Sequence, residues 1–186
     1  MPKHNKPNRA ERLSRRKERA LLNMAKAEEL SRDLGVPADE IEVVSGQIPG
    51  HRKISELLTE LVHPMVRDDF DIEQFKTLLS LGCIAWNLTL FQPEQRQPQT
   101  EQLLAMVPLE DREQMREALT SLMARKDALF SSDLRMILDF EVTDRKYDWY
   151  VTAVSTLNSD IAADVQPDLM HSLVSRAGEA AKRSRL

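Results

Sequence analysis

The chain has 186 residues, 41% hydrophobic and 30% charged, with a net charge of −4; that balance is globular rather than disordered and fits one domain with tails. Its five glycines are too few for a turn-rich barrel or sandwich, or for a loop that cradles a nucleotide, so helices are favoured. The single cysteine excludes an intrachain disulfide and any site built from several thiolates.

Charge is placed unevenly. Residues 1–26 hold nine Lys and Arg against Glu11 and Glu18, a surplus of seven, so the remainder must carry eleven more acids than bases. The end turns basic again with Arg176, Lys182, Arg183 and Arg185. An acidic body with a basic arm at each end is the expectation: an N-terminal arm over 1–26, one helical domain over 27–175 and a basic tail over 176–186. The charged N-terminus lacks the apolar core of a secretory signal, which favours a cytoplasmic protein.

In chain order, Met1–Asn8 contains two prolines and is expected to be disordered. Arg9 to Asp33 is rich in helix formers, and Gly35 is a suitable stop. Leu21, Met24, Ala27 and Leu30 recur at helical spacing, so the helix should dock by its C-terminal half and hold its basic half in solvent. Ala38–Val44 is ambiguous, and Gly46–Gly50 reads as a loop. A helix over Lys53–His63 has Ile54, Leu57, Leu58, Leu61 and Val62 on one face, and Pro64 should kink or stop it.

The central element is expected over residues 71–91. Asp71 can cap it, with Gln74 reaching back, and Phe70 and Phe75 sit where a hydrophobic staple closes. Its second half, Leu78–Phe91, has only Ser80, Asn87 and Thr89 as polar residues. A helix apolar on most sides is buried on most sides, and this run is shorter than the roughly 20 residues that span a bilayer. Gly82 is a candidate for a close helix crossing.

Gln92–Thr100 either opens a helix at Pro93 that breaks near Pro98, or is loop throughout. Leu103, Leu104 and Met106 mark a short helix ended by Pro108. From Glu110 to Leu129 a long helix should bury Met115, Ala118, Leu119, Leu122 and Met123 and wet Arg112, Glu113, Arg116, Glu117 and Arg125. The period then changes to two: alternating runs over 136–143 and 147–154, joined by Thr143–Lys146, predict a β-hairpin within 135–155. Asn158–Asp160 reads as a turn, and Pro167 opens a last helix. The fold class is therefore mainly α, built on a central buried helix with one hairpin.

GCIAWNLTLF, then RKDALF, then DLRMILDFEVTDRKYDWYVTAVS resembles a pattern in small uncharacterised bacterial proteins, in which an AWN-centred helix precedes an RK-x-x-x-F helix end and a hairpin. The resemblance spans roughly 54–157. It implies a bacterial cytosolic setting and brings no activity, cofactor or partner.

Candidate chemistry is sparse. His4, His51, His63 and His171 lie in separate segments without metal-ligand spacing, so no metal or cofactor is expected. Cys83 has apolar neighbours, which makes a structural thiol a better reading than a nucleophile. Asp139, Glu141 and Asp144 with Lys146 resemble a nuclease hairpin in spacing, but Asp144–Lys146 falls in the expected turn. Asn87 is either a ligand contact or, better, bonded to a neighbouring backbone. The candidate phosphate-binding residues are Arg9, Arg12, Arg15, Arg16, Lys17, Arg19, Lys182, Arg183 and Arg185. No aromatic residue accompanies the basic arm, so base stacking is not suggested. The function expected is non-enzymatic: an interaction or accessory module for a protein partner, away from membranes. The alternative is a nucleic-acid or ribonucleoprotein-associated factor using the two basic ends.

Overall fold

Helix formers running without interruption from Arg9 give a single helix, α1 (Arg9–Leu34), which crosses residue 26 without a break. The computed structural model describes residues 9–34, 37–41, 43, 51–145 and 148–156. Met1–Asn8, the loop at 46–50, the turn at 158–160, the helix expected from Pro167 and the C-terminal tail all lie outside them. The chain divides into two compact units, Met1–Ile48 and Pro49–Leu186.

In the first unit, α1 is followed by a 3-10 turn over Ala38–Glu40. Asn23 Nδ2 donates to the Val43 carbonyl at 2.7 Å, and Ala27 and Leu30 are buried. Leu21 and Met24, expected to dock beside them, are instead 67% and 63% exposed. The cause is helical drift. Positions three apart fall short of a full turn by about 60°, so the three such steps from Leu21 to Leu30 wind halfway round the helix.

The second unit holds α2 (Ile54–Val62), α3 (Ile72–Leu88), α4 (Pro93–Ala105), α5 (Arg112–Phe130), β1 (Ile137–Arg145) and β2 (Asp148–Ser155). It is mainly helical with one antiparallel hairpin, as the sequence predicts. All five apolar residues expected on one face of α2 are buried. Past Val62 the chain tightens into a 3-10 turn over His63–Met65, because Pro64 has no N–H with which to continue the helix.

The central helix α3 packs against α2, α4, α5 and β1. Its start is the expected capping box: the Asp71 carboxylate accepts from Gln74 N at 2.7 Å, and Gln74 Oε1 accepts from Asp71 N at 2.9 Å. Such a cap contributes on the order of 1 kcal/mol. The Phe75 ring stacks on Trp149 at 4.7 Å, tying the first turn to the hairpin. Gly82 does mark a close crossing, since a Cβ there would lie 2.6 Å from Val62 Cγ1 and 3.0 Å from Leu58 Cδ1. The helix ends at Leu88, short of the expected Phe91. Thr89 Oγ1 donates back to the Trp86 carbonyl, and Leu90 and Phe91 make tighter i to i−3 bonds.

Pro98 does not break α4. It removes one bond near the helix start, and burial of Thr100, Leu103 and Leu104 carries the helix past it. Arg96 anchors that first stretch, with Nε on the Phe91 carbonyl, Nη2 on the Thr89 carbonyl and Nη1 on Asp127. At the other end Met106, expected inside, is exposed, and Val107 is buried in its place. Along α5, Leu119 and Leu122 are buried as expected while Met115, Ala118 and Met123 are half-buried.

The hairpin is longer than its alternation suggested. Thr143, Asp144 and Arg145, expected in the link, pair with Tyr150, Trp149 and Asp148. A register irregularity between Ile137 and Asp139 interrupts the alternation at the foot of β1, where Met136, Ile137, Leu138 and Asp139 are all buried. Beyond it the period of two holds: Val142 faces Val151 with both buried, while Glu141 and Thr143 are exposed.

Candidate interaction surfaces

The most apolar stretch of the chain, ending in Trp86 and Asn87, serves to hold a backbone in place. Trp86 Nε1 donates to the Arg135 carbonyl at 2.7 Å. Asn87 Nδ2 donates to the Ile137 carbonyl at 2.8 Å, and its Oδ1 accepts from Ile137 N at 2.9 Å. Between them, Met136 N donates to Thr156 Oγ1 and its carbonyl accepts from Thr156 N. Arg135 N donates to Asp133 Oδ1. Every backbone donor and acceptor of 135–137 is thus satisfied away from water, as a buried segment requires. Asn87 takes the second of its two expected roles, bonding to a neighbouring backbone.

Three charged side chains close over this foot. The Arg135 guanidinium, 7% exposed, grips the Asp133 carboxylate with Nε at 2.9 Å and Nη2 at 2.5 Å, and Nη2 also reaches the Arg52 carbonyl. Lys126, almost fully buried, donates to the Asp133 carbonyl at 3.0 Å and lies over the Trp86 ring. Burial would raise the Asp133 carboxyl, but the bonds from Arg135 outweigh it and hold it below the usual carboxylate range. Burial pushes the Lys126 ammonium down, against the pull of Asp127 and Asp133. No spacing rule in the sequence marks these contacts, because Lys126 looks like a surface residue of an amphipathic helix until the hairpin foot covers it.

The remaining cations of this unit are also engaged. Arg125, expected on the wet face, donates to the Leu61 and Glu60 carbonyls at the end of α2. Arg96 does the same past the end of α3, and Arg112 holds the Val107 and Ala105 carbonyls at the end of α4. Helix C-termini attract such cations through their unpaired carbonyls. Arg52, Lys53, Arg67, Lys76 and Arg116 pair with Glu60, Glu56, Asp69, Glu73 and Glu101 respectively. From residue 51 to 156, every Arg and Lys whose side chain is described is therefore bonded within the chain.

An open groove of about 430 Å³ lies between α2 and β2, lined in part by Lys53, Glu56, Glu60, His63, Trp149 and Tyr150. Its two carboxylates are the ones paired with Lys53 and Arg52. Among the described residues, no three His, Cys, Asp or Glu stand where a metal ion could be held. His51 and His63 are exposed in separate segments, and Cys83 is a buried thiol. Of the nuclease-like set, Asp139 is buried, whereas Glu141 and Asp144 are exposed on β1 at odd spacing, hence on opposite faces. Lys146 lies outside the described residues.

α1 offers a different surface. Arg9, Arg12, Arg15, Arg16, Lys17 and Arg19 are all on its first half; Lys182, Arg183 and Arg185 lie outside the described residues. Leu21, Leu22 and Met24 are 67%, 63% and 63% exposed. Among the described residues no helix is long and apolar enough to cross a membrane. A scan against protein-family models finds no match, and no curated protein or solved structure matches the chain.

Proposed function

We propose that this chain is a non-enzymatic interaction module that binds a protein partner through α1. The carrying observation is the exposure of Leu21, Leu22 and Met24, three large apolar side chains within four residues of one helix. Single exposed apolar residues are ordinary, but a cluster on a long helix is how a helix presents itself to an apolar groove. The surplus of seven positive charges over residues 1–26 adds the partner's second property, an acidic rim. Nothing in this reading calls for chemistry: Cys83 is buried, and the groove's carboxylates are tied into ion pairs.

The test is affinity capture with the full chain, compared with a Leu21→Gln, Met24→Gln double variant. A discrete protein held by the native chain and released by the variant is the expected result. Equal capture by both, or capture by neither, removes α1 as the binding element.

A further inference from the structure

We infer that Arg9, Arg12, Arg15, Arg16 and Arg19 form one phosphate-tracking face of α1 whose ligand is the phosphodiester backbone of a nucleic acid. Two observations carry it. The first is register. On a continuous helix from Arg9, these five positions lie within about 60° of one line at 3.6 residues per turn. Asn23, Ala27 and Leu30, which are bonded or buried, continue that same line. Leu21 and Met24 stand on other sides, about 180° and 120° away from it. The acids of this stretch, Glu11 and Glu18, are also off the line. Five cations on one stripe with the acids set aside is the pattern a polyanion requires, whereas a helix that is merely solvated has no reason to sort its charges.

The second observation is the state of the other cations. In the second unit the described Arg and Lys side chains are all committed to helix ends or ion pairs. By sequence, residues 1–26 carry a net surplus of seven positive charges, against a remainder that carries eleven net negative charges. The dimensions agree. The stripe from Arg9 to Arg19 rises about 15 Å, and a duplex offers one phosphate per about 1.7 Å of its axis. Each arginine therefore has a phosphate within its register. The absence of aromatic residues from this half of α1 makes the recognition independent of sequence.

This inference shares the positive surplus with the protein-partner reading but not the sides of α1 that carry Leu21 and Met24, and the two fail in different assays. It is tested by fluorescence anisotropy of the full chain with labelled duplex DNA, duplex RNA and single-stranded RNA of about 20 residues, between about 50 and 200 mM salt. The decisive variant is Arg12→Gln, Arg15→Gln, Arg16→Gln, Arg19→Gln. Its control, Arg32→Gln, Lys53→Gln, Arg67→Gln, Lys76→Gln, loses the same charge at described positions off the stripe. Gln is close to Arg in helix propensity, and circular dichroism of both variants checks that the helix content is retained. The stripe variant should lose more than about tenfold in affinity, and its log–log salt slope on duplex should be shallower by about 3 to 4, since each neutralised phosphate contributes about 0.9. The control should change far less. The nucleic acid that shows the steepest slope identifies the source of the backbone. Equal loss in the two variants, no binding at the lowest salt, or equally tight binding to polyglutamate or to anionic vesicles would each overturn the inference.

Discussion

Trp86 and Leu21 are both large apolar residues on long helices, and the chain treats them in opposite ways. Trp86 is fully buried, its indole N–H on the Arg135 carbonyl, its ring against Phe130 and near the Lys126 ammonium. Leu21 is two-thirds exposed, and Leu22 and Met24 share its condition. Around the end of α3 each polar group is met by a named group of the same chain, so that region is finished within the fold. Among the described residues, α1 buries Ala27 and Leu30 and leaves Leu21, Leu22 and Met24 largely in water. Helices draw most of their stability from burying a face; the proposed function turns on what Leu21, Leu22 and Met24 present.

The comparison breaks most sharply at Trp86. Trp86→Ala should cost about 3–5 kcal/mol in urea unfolding, for the cavity alone, with the Arg135 carbonyl left unpaired in addition. Trp86→Phe should cost less, since it keeps much of the volume and loses only the hydrogen bond, about 1–3 kcal/mol. If both variants unfold like the native chain, the hairpin foot is not held as described. Asn87→Leu comes next: it strands both the N–H and the C=O of Ile137, and the expected loss is about 2–4 kcal/mol in the same assay.

Gly82→Ala is a smaller and more discriminating change. The added methyl meets Val62 and Leu58, both buried on α2. Overpacking costs about 1–3 kcal/mol, while the better helix propensity of Ala returns up to about 1 kcal/mol. Net destabilisation of about 1–2 kcal/mol is expected; a gain would mean that the crossing is looser than the geometry shows.

How far these sites were legible depends on the range of the contact. The Asp71–Gln74 box, the Pro64 stop and the apolar face of α2 are set by residues within a turn or two, and reading them needs only helical periodicity. Gly82 stood out because a glycine amid buried residues of a helix has few other uses. Asn87 was legible as a buried amide but not as to its partner, fifty residues away. Arg125, expected on the wet face, was misread for the same reason: its ligands on α2 arrive only with the fold, as does the Asp133 carbonyl that Lys126 reaches. The error at Leu21 and Met24 is of another kind. Spacing of three was read as one face when it winds around the helix, and a check against 3.6 residues per turn would have separated them. The basic residues of α1 were read as composition, although the helix expected over Arg9 to Asp33 already allowed their alignment to be checked at 3.6 residues per turn.

Acid titration sharpens the same contrast with a smaller signal. The Asp133 carboxyl is held below its ordinary value in the fold. Its contribution is therefore complete above the unfolded value of about 3.9 and fades as pH falls through the lowered folded value. Denaturant midpoints measured from neutral to acid pH should drop on that limb, and Asp133→Asn should flatten this part of the profile. An unchanged profile would show that the grip of Arg135 is not what stabilises the foot. Lys126 acts in the opposite range. Its depressed ammonium costs stability at neutral pH, and that cost is relieved as pH rises through its folded value toward the unfolded one.

The smallest expected effect on stability belongs to Leu21→Gln and Met24→Gln, and it is the one that tests the comparison itself. Both side chains are largely in water, and Gln keeps good helix propensity, so unfolding midpoints should move by no more than about 0.5 kcal/mol. A loss of partner capture without a loss of stability would place the function of these residues outside the chain's own packing. A destabilisation of 2 kcal/mol or more, on the scale of about 2–5 kcal/mol seen for core truncations, would mean that Leu21 and Met24 are core residues. α1 would then be as finished within the fold as α3, and the contrast between the two helices would be gone.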